Sequence, residues 1–195
     1  FNFKVMKSDF IGIVGESGSG KSTLVNILTG LLRVQDGKVI LNEKEVNNLG
    51  KNWKSYFGYV PQNTNLFNDT IFTNITFEDD YNKINIDRLN DAIKKSGLES
   101  FITALDKGVK TNIGGLGNKI SGGEKQRISI ARVLYKDPEI IIFDESFNSL
   151  DKHTRDKILS EINQLSNFKT VIIISHSQED LKSCKSIINL RDNKN

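Results

Sequence analysis

The sequence predicts an α/β protein: a mostly parallel sheet, a small partial antiparallel β-element and an inserted α-helical region. Three observations carry that prediction. Continuous apolar runs at Phe10-Ile11-Gly12-Ile13-Val14, Glu139-Ile140-Ile141-Ile142-Phe143 and Val171-Ile172-Ile173-Ile174 suit strands buried on both faces. The stretch Gly15-Glu16-Ser17-Gly18-Ser19-Gly20-Lys21-Ser22-Thr23 matches G-x-x-x-x-G-K-[ST] and lies directly after the first of these runs. Between residues 63 and 132 no strong strand appears, and apolar residues recur at helical spacing. The chain therefore reads as one domain, with an α/β core over 1–62 and 133–195 and a helical subdomain over 63–132.

Each element has its own signal. Phe1, Phe3 and Val5 alternate as in a strand. After the glycine-rich loop, Leu24, Ile27, Leu28 and Leu31 fall at i, i+3, i+4 and i+7, one face of a helix. Asp36-Gly37, Lys38 to Leu41 and the polar residues up to Val46 read as a hairpin, and Tyr56 to Val60 as a short strand ended by Pro61. In the helical region Phe67, Ile71, Phe72, Ile75 and Phe77 pack as helix or irregular structure until Asp79-Asp80 breaks the pattern. Leu89, Ala92 and Ile93 then mark a helix up to Gly97, with Phe101, Ile102 and Leu105 after it. Gly114-Gly115-Leu116-Gly117 is a second glycine-rich run. Ser121 with Glu124 three residues on is a capping box for a helix carrying Ile128, Ala131 and Leu134 on one side. A turn at Asn148-Ser149-Leu150-Asp151 precedes a helix with Ile158, Ile162 and Leu165 in line, and the last strand is Ile187 to Leu190.

The chemistry concentrates at four places. In the first loop, glycines let successive N–H groups turn toward phosphate oxygens; Lys21 can reach the β- and γ-phosphates and the Ser22 hydroxyl can ligate Mg²⁺. Asp144-Glu145 ends a buried strand, where paired carboxylates are costly unless a cation or a mechanism uses them. Asp144 suits Mg²⁺, and Glu145 suits activation of a water. His176 follows a core strand at the edge where such sheets bind ligands. Ser121, Gly122 and Gly123 bring a hydroxyl, glycine amides and a helix N-terminus together as a second anion-binding turn. His153 has no such placement and reads as surface.

Composition sets bounds on this reading. The 195 residues suffice for one sizeable core. A net charge of +3, from 27 basic and 24 acidic residues, is too balanced to argue for nucleic acid, and none is expected as a partner. Cys184 is the single cysteine, so no intrachain disulfide forms, which fits a reducing compartment. No apolar run approaches the ~20 residues that span a bilayer, and no stretch reads as a secretory signal. The chain opens on Phe1 in mid-pattern and is expected to be a piece of a longer protein. Its Asn-, Lys- and Ile-rich composition points to an AT-rich, bacterial genome.

Taken in order, these motifs resemble the nucleotide-binding domain of ATP-binding cassette (ABC) proteins, a branch of the RecA-like P-loop NTPases, over nearly the whole chain. Gly15 to Thr23 matches Walker A. Tyr59-Val60-Pro61-Gln62 looks like the Q-loop, and Ile120-Ser121-Gly122-Gly123-Glu124 followed by Lys125-Gln126-Arg127 resembles the LSGGQ signature. Ile140 to Glu145 resembles Walker B with its catalytic glutamate, Asn148 to Asp151 the D-loop, and His176 the switch histidine. The resemblance implies an ATPase with ATP and Mg²⁺ as ligands. Two cassettes, identical or not, would close head-to-tail, so that ATP on Gly15–Thr23 of one meets Ser121, Gly122, Gly123 and Glu124 of the other. Glu145 would polarise water, His176 would contact the γ-phosphate, Gln62 would sense Mg²⁺ or water, and Ser22, Gln62 and Asp144 would serve the metal; Asp151 joins the nucleotide site through the D-loop. Catalysis would be positioning plus charge stabilisation.

The sequence also departs from the pattern. Glu124 stands where Gln is usual and adds negative charge near ATP, Ile120 replaces Leu, and the aromatic residue that stacks on adenine would lie before Phe1. Gln62 to Ile71, Asn74-Ile75 and Thr111 to Gly114 resemble ABC exporters, although Gly115 replaces their usual Glu. The implied role is an engine for an exporter or lipid/oligosaccharide flippase. Its transmembrane domain would lie on the same parent chain, with the cassette at the cytoplasmic face of the inner membrane and soluble as an isolated fragment. A soluble ABC ATPase of translation or DNA repair is the alternative; the absence of a long coiled-coil insert between the Walker motifs argues against it.

Overall fold

The computed structural model describes residues 2–16, 18–46, 50–114 and 120–190. The elements run β1 (Phe10–Val14), α1 (Lys21–Leu28), β2 (Ile40–Leu41), β3 (Lys44–Glu45), β4 (Phe57–Val60), α2 (Ile71–Thr76), α3 (Ile86–Lys95), α4 (Glu99–Thr103), α5 (Gly122–Lys136), β5 (Ile140–Asp144), α6 (Lys152–Leu165), β6 (Thr170–Ile174), α7 (Gln178–Leu181) and β7 (Ser186–Asn189), with short 3-10 turns between some of them. The fold is α/β, with a mostly parallel five-stranded sheet and a separate two-stranded antiparallel one. Two compact units divide the chain: residues 1–59, 138–144 and 166–195, and residues 60–137 and 145–165.

The first unit is organised by the sheet, in strand order β4-β5-β6-β1-β7. The apolar runs become its central strands because side chains on both faces are removed from water: β6 is buried at every position, and Ile11, Ile13, Ile142, Ile172 and Ile174 share one core with Val25 of α1 and Leu190. The parallel register sets Ile13 opposite Ile174, and Ile174 opposite Asp144. The carboxyl ends of β1, β5 and β6 therefore reach one edge of the sheet together. The hairpin forms with Ile40 opposite Glu45, and Asn42 and Glu43 take the left-handed φ values of 49° and 66° that a tight two-residue turn needs.

Two expectations fail in this unit. Residues 2–6 form no strand: Phe3 and Val5 are half-buried between exposed neighbours, and Val5 packs on the sheet's core, so the alternation records burial. The first helix stops at Leu28. The Leu31 amide turns back to the Asn26 carbonyl, Gly30 sits at φ 72°, and Leu31 is left 69% exposed. The i+7 match at Leu31 was periodic by coincidence.

The second unit is helical around α5. Ile71, Ile75, Leu89, Ala92, Ile93, Leu98, Ile128 and Ala131 form its core, with α2 and α3 packed on α5. Helix α5 begins as the sequence predicts. The Glu124 amide donates to Ser121 Oγ (3.2 Å) and the Ser121 amide donates to a Glu124 carboxylate oxygen (2.7 Å), a complete capping box. Among the described residues no helix is long and apolar enough to cross a membrane.

Candidate nucleotide site

In the first unit, the loop after β1 is shaped by glycine: Gly18 and Gly20 take φ values of 78° and 98°, and nothing lies within 4 Å of where a Cβ would stand on either. That leaves backbone N–H groups accessible to an anion, at the first turn of α1. Lys21 folds back over this loop. Its ammonium donates to the Gly15 carbonyl and, at 2.9 Å, to the Glu16 carbonyl, and the residue is only 9% exposed. Among the described residues no carboxylate pairs with it. A buried ammonium held by carbonyls alone is costly unless an anion accompanies it, so the loop fits a phosphate group. Ser19 Oγ is likewise buried, with no hydrogen-bond partner among the described residues. Ser22 and Thr23 are exposed in the first turn of α1. Ser17 lies outside the described residues, as do Phe1, Gly115, Leu116 and Gly117.

At the same sheet edge, Asp144 ends β5 and accepts a hydrogen bond from the Tyr59 hydroxyl at 3.0 Å. Burial, then the charge of Asp144 and this hydrogen bond, push the Tyr59 phenol well above its usual range, so it stays a donor at any working pH. His176 follows β6 and is exposed. Beside it, Ser175 is buried and donates to Asp180 (2.6 Å) while accepting from the Ser177 amide (3.0 Å), which fixes the turn that presents the histidine. In this unit Ser22 and Asp144 offer oxygen donors, the kind a hard cation such as Mg²⁺ prefers.

The second unit holds Gln62, Ser121, Gly122, Gly123, Glu124, Glu145 and Asp151. Gln62 Nε2 donates to Glu145 Oε2 at 2.9 Å. Glu145 takes φ 47°, an unusual conformation for a residue with a Cβ. Ser121 and Gly122 are exposed at the start of α5, and a Cβ on Gly123 would stand 3.1 Å from the Ser149 carbonyl oxygen, so the signature turn and the D-loop pack closely. Asp151 caps α6 by accepting from the Thr154 amide (3.0 Å), and its hydrogen bonds from Thr154 hold its carboxyl below the usual range.

The ABC transporter family model matches residues 1–148, through the glycine-rich loop, the signature turn and the Asp144-Glu145 pair. The chain belongs to the ABC transporter family. It is 39% identical over 191 residues to ABC transporter B family member 6 of Dictyostelium discoideum, covering 97% of this chain and 28% of that protein. It is 35% identical over 188 residues to the ATP-dependent lipid A-core flippase of Saccharophagus degradans, covering 96% and 32%. A bacterial Atm1-family ABC exporter solved with ATP bound superposes with a TM-score of 0.88 at 34% identity, over 96% of this chain and 32% of that one. The chain spans about a third of the length of the curated relatives it matches. Tyr59, which bonds Asp144, and Gln126, 3% exposed on α5, stand in the Q-loop and signature stretches, but the sequence reading gives them no role there and does not single out Ser146, whose hydroxyl donates to the Val60 carbonyl (2.8 Å).

Proposed function

We propose that this chain is the ATP-binding and ATP-hydrolysing cassette of a membrane exporter or lipid/oligosaccharide flippase. The observation that carries the proposal is the buried Lys21 ammonium on the Gly15 and Glu16 carbonyls, which has no carboxylate partner among the described residues. A polyphosphate is the ligand that this arrangement suits. The Gln62–Glu145 hydrogen bond adds the second requirement, a held carboxylate able to take a proton from water. The names of the flippase and exporter relatives support the transport role.

In this reading Gly15 to Thr23 wrap the phosphates and Lys21 neutralises the β- and γ-oxygens. Ser22, Asp144 and Gln62 hold Mg²⁺, which supplies charge neutralisation on the phosphates. Because the Gln62 amide nitrogen is on Glu145, its oxygen is the end that suits the cation. Glu145 takes the proton of the attacking water and His176 donates to the γ-phosphate. Ser121, Gly122, Gly123 and Glu124 of a second cassette, identical or not, close on the same nucleotide head-to-tail, with Asp151 nearby in the D-loop. The core spans 1–62 and 133–195 with the helical subdomain at 63–132, and a transmembrane domain on the parent chain holds the cassette at the cytoplasmic face.

The test is MgATP turnover by the full-length parent protein in nanodiscs. Turnover is expected in the wild type, and Lys21→Ala is expected to lower it by about 10²-fold or more, the scale for losing one preorganised charge donor. Equal turnover in the two proteins refutes the proposal.

A further inference from the structure

We propose that Gln126 is a positioning residue for hydrolysis, holding the segment around Gln62 so that Gln62 stays on Glu145. The inference rests on the reading of Glu145 as the base and extends it to a buried residue of α5.

The segment after β4 has no regular structure to hold it. Strand β4 ends at Val60, and residues 61–64 form only a bend. Its conformation therefore depends on side-chain bonds, and these bracket Gln62. The Gln126 amide donates from Nε2 to the Pro61 carbonyl at 2.8 Å, and its Oε1 accepts from the Thr64 hydroxyl at 3.1 Å. On the side before Pro61, the Ser146 hydroxyl donates to the Val60 carbonyl at 2.8 Å. Gln62 is exposed and reaches Glu145 Oε2 at 2.9 Å. Gln126 itself is 3% exposed, so its amide is taken out of water and both ends are satisfied by this one segment. Its position is fixed by α5, whose N-cap is Ser121 of the signature turn. A single helix thus carries the signature turn at its first residue and the clamp on the Gln62 segment one turn later. Any displacement of the start of α5 is passed to the segment that orients Gln62, a link made of hydrogen bonds rather than of spatial proximity alone.

The chemistry of the amide decides the substitutions. Met matches Gln in length but offers neither donor nor strong acceptor, so Gln126→Met releases both Pro61 and Thr64. Thr64→Val releases only the second bond and leaves Gln126 in place, which serves if the first variant folds poorly.

The experiment measures ATP turnover in the full-length parent protein for Gln126→Met, Thr64→Val, Gln62→Ala, Glu145→Gln and the double variant Gln62→Ala/Gln126→Met. Expected is a kcat about tenfold or more lower in Gln126→Met with KM for ATP within about twofold of wild type, and a smaller fall of the same kind in Thr64→Val. In the Gln62→Ala background, adding Gln126→Met is expected to change kcat by less than about twofold, because the residue it positions is already gone. Three results overturn the proposal: wild-type kcat in Gln126→Met, a loss carried by KM, or full additivity with Gln62→Ala. If Glu145→Gln itself keeps wild-type turnover, the assignment of the base fails instead, and the two failures are told apart in one series.

Discussion

Replacing Glu145 by Gln tests the proposed proton-taking role apart from the geometry around it. In the structure the carboxylate accepts from Gln62 Nε2 at 2.9 Å. A glutamine at this position keeps the same length and an amide oxygen that accepts the same N–H, so the pair survives while the basic oxygen is lost. A charge-assisted hydrogen bond is exchanged for a neutral one, a difference of about 1 kcal/mol. Relief of repulsion from neighbouring Asp144 offsets part of it, so Tm is expected to move by no more than about 2–4 °C. The kinetic effect is far larger. A positioned general base contributes about 10²–10⁴ in rate, or about 2.7–5.4 kcal/mol on the barrier. Phosphate release by the full-length protein is expected to fall by that factor. ATP affinity, read with a fluorescent analogue, is expected to stay within about threefold of wild type, since Lys21 and its loop are untouched. Turnover within tenfold of wild type in a folded variant refutes Glu145 as the base, and loss of ATP binding refutes the separation of base from binding site.

The cap of α5 gives a stability test. Ser121→Ala removes the acceptor for the Glu124 amide and is expected to cost about 1 kcal/mol, seen as a Tm lower by about 2–4 °C; an unchanged Tm would show the cap contributes nothing. Glu124→Gln keeps an acceptor for the Ser121 amide and removes one negative charge beside the turn. It is expected to cost less than about 1 kcal/mol and to strengthen MgATP-dependent association in sedimentation, and weaker association contradicts the charge reasoning. Burial, then the charge of Asp180, pushes the Cys184 thiol up to about 12. Labelling of the folded protein by iodoacetamide at pH 8.5 is expected to be much slower than after denaturation, and equal rates exclude the shift. Because the folded pKa lies above the unfolded value of 9.0, this thiol's contribution to stability is complete below pH 9 and is lost as pH rises toward 12; Cys184→Ala should flatten that fall.

What the sequence made legible was whatever has a short-range cause. The buried strands followed from unbroken apolar runs, and the cap of α5 from Ser121 and Glu124 three residues apart. The shape of the loop after β1 followed from glycines that allow φ values of 78° and 98°. What it hid depends on residues far apart in the chain. Phe3 and Val5 alternate like a strand, but residues 2–6 take no regular secondary structure. Gln126 looks like one polar residue on a helix until the fold brings Pro61 and Thr64, more than sixty positions earlier, to its two amide ends. The same separation hid the Tyr59–Asp144 bond, 85 residues apart in sequence.

The pair Asp144-Glu145 shows why both kinds of information are needed. Two adjacent carboxylates repel, so the end of a buried strand carries them at a cost that hydrogen-bond donors offset. Sequence alone supplies the problem. The fold supplies the solution by giving each acid a different donor: a phenol held protonated by burial for Asp144, and an amide for Glu145. The backbone makes this possible at Glu145, where φ 47° ends the extended run. That conformation is disfavoured for a residue with a Cβ, by about 1 kcal/mol or more. A glycine would adopt it freely but could not carry a carboxylate. The glutamate at a position whose backbone suits glycine therefore points to its acid as the feature kept, and the division between the two units falls at the same peptide bond.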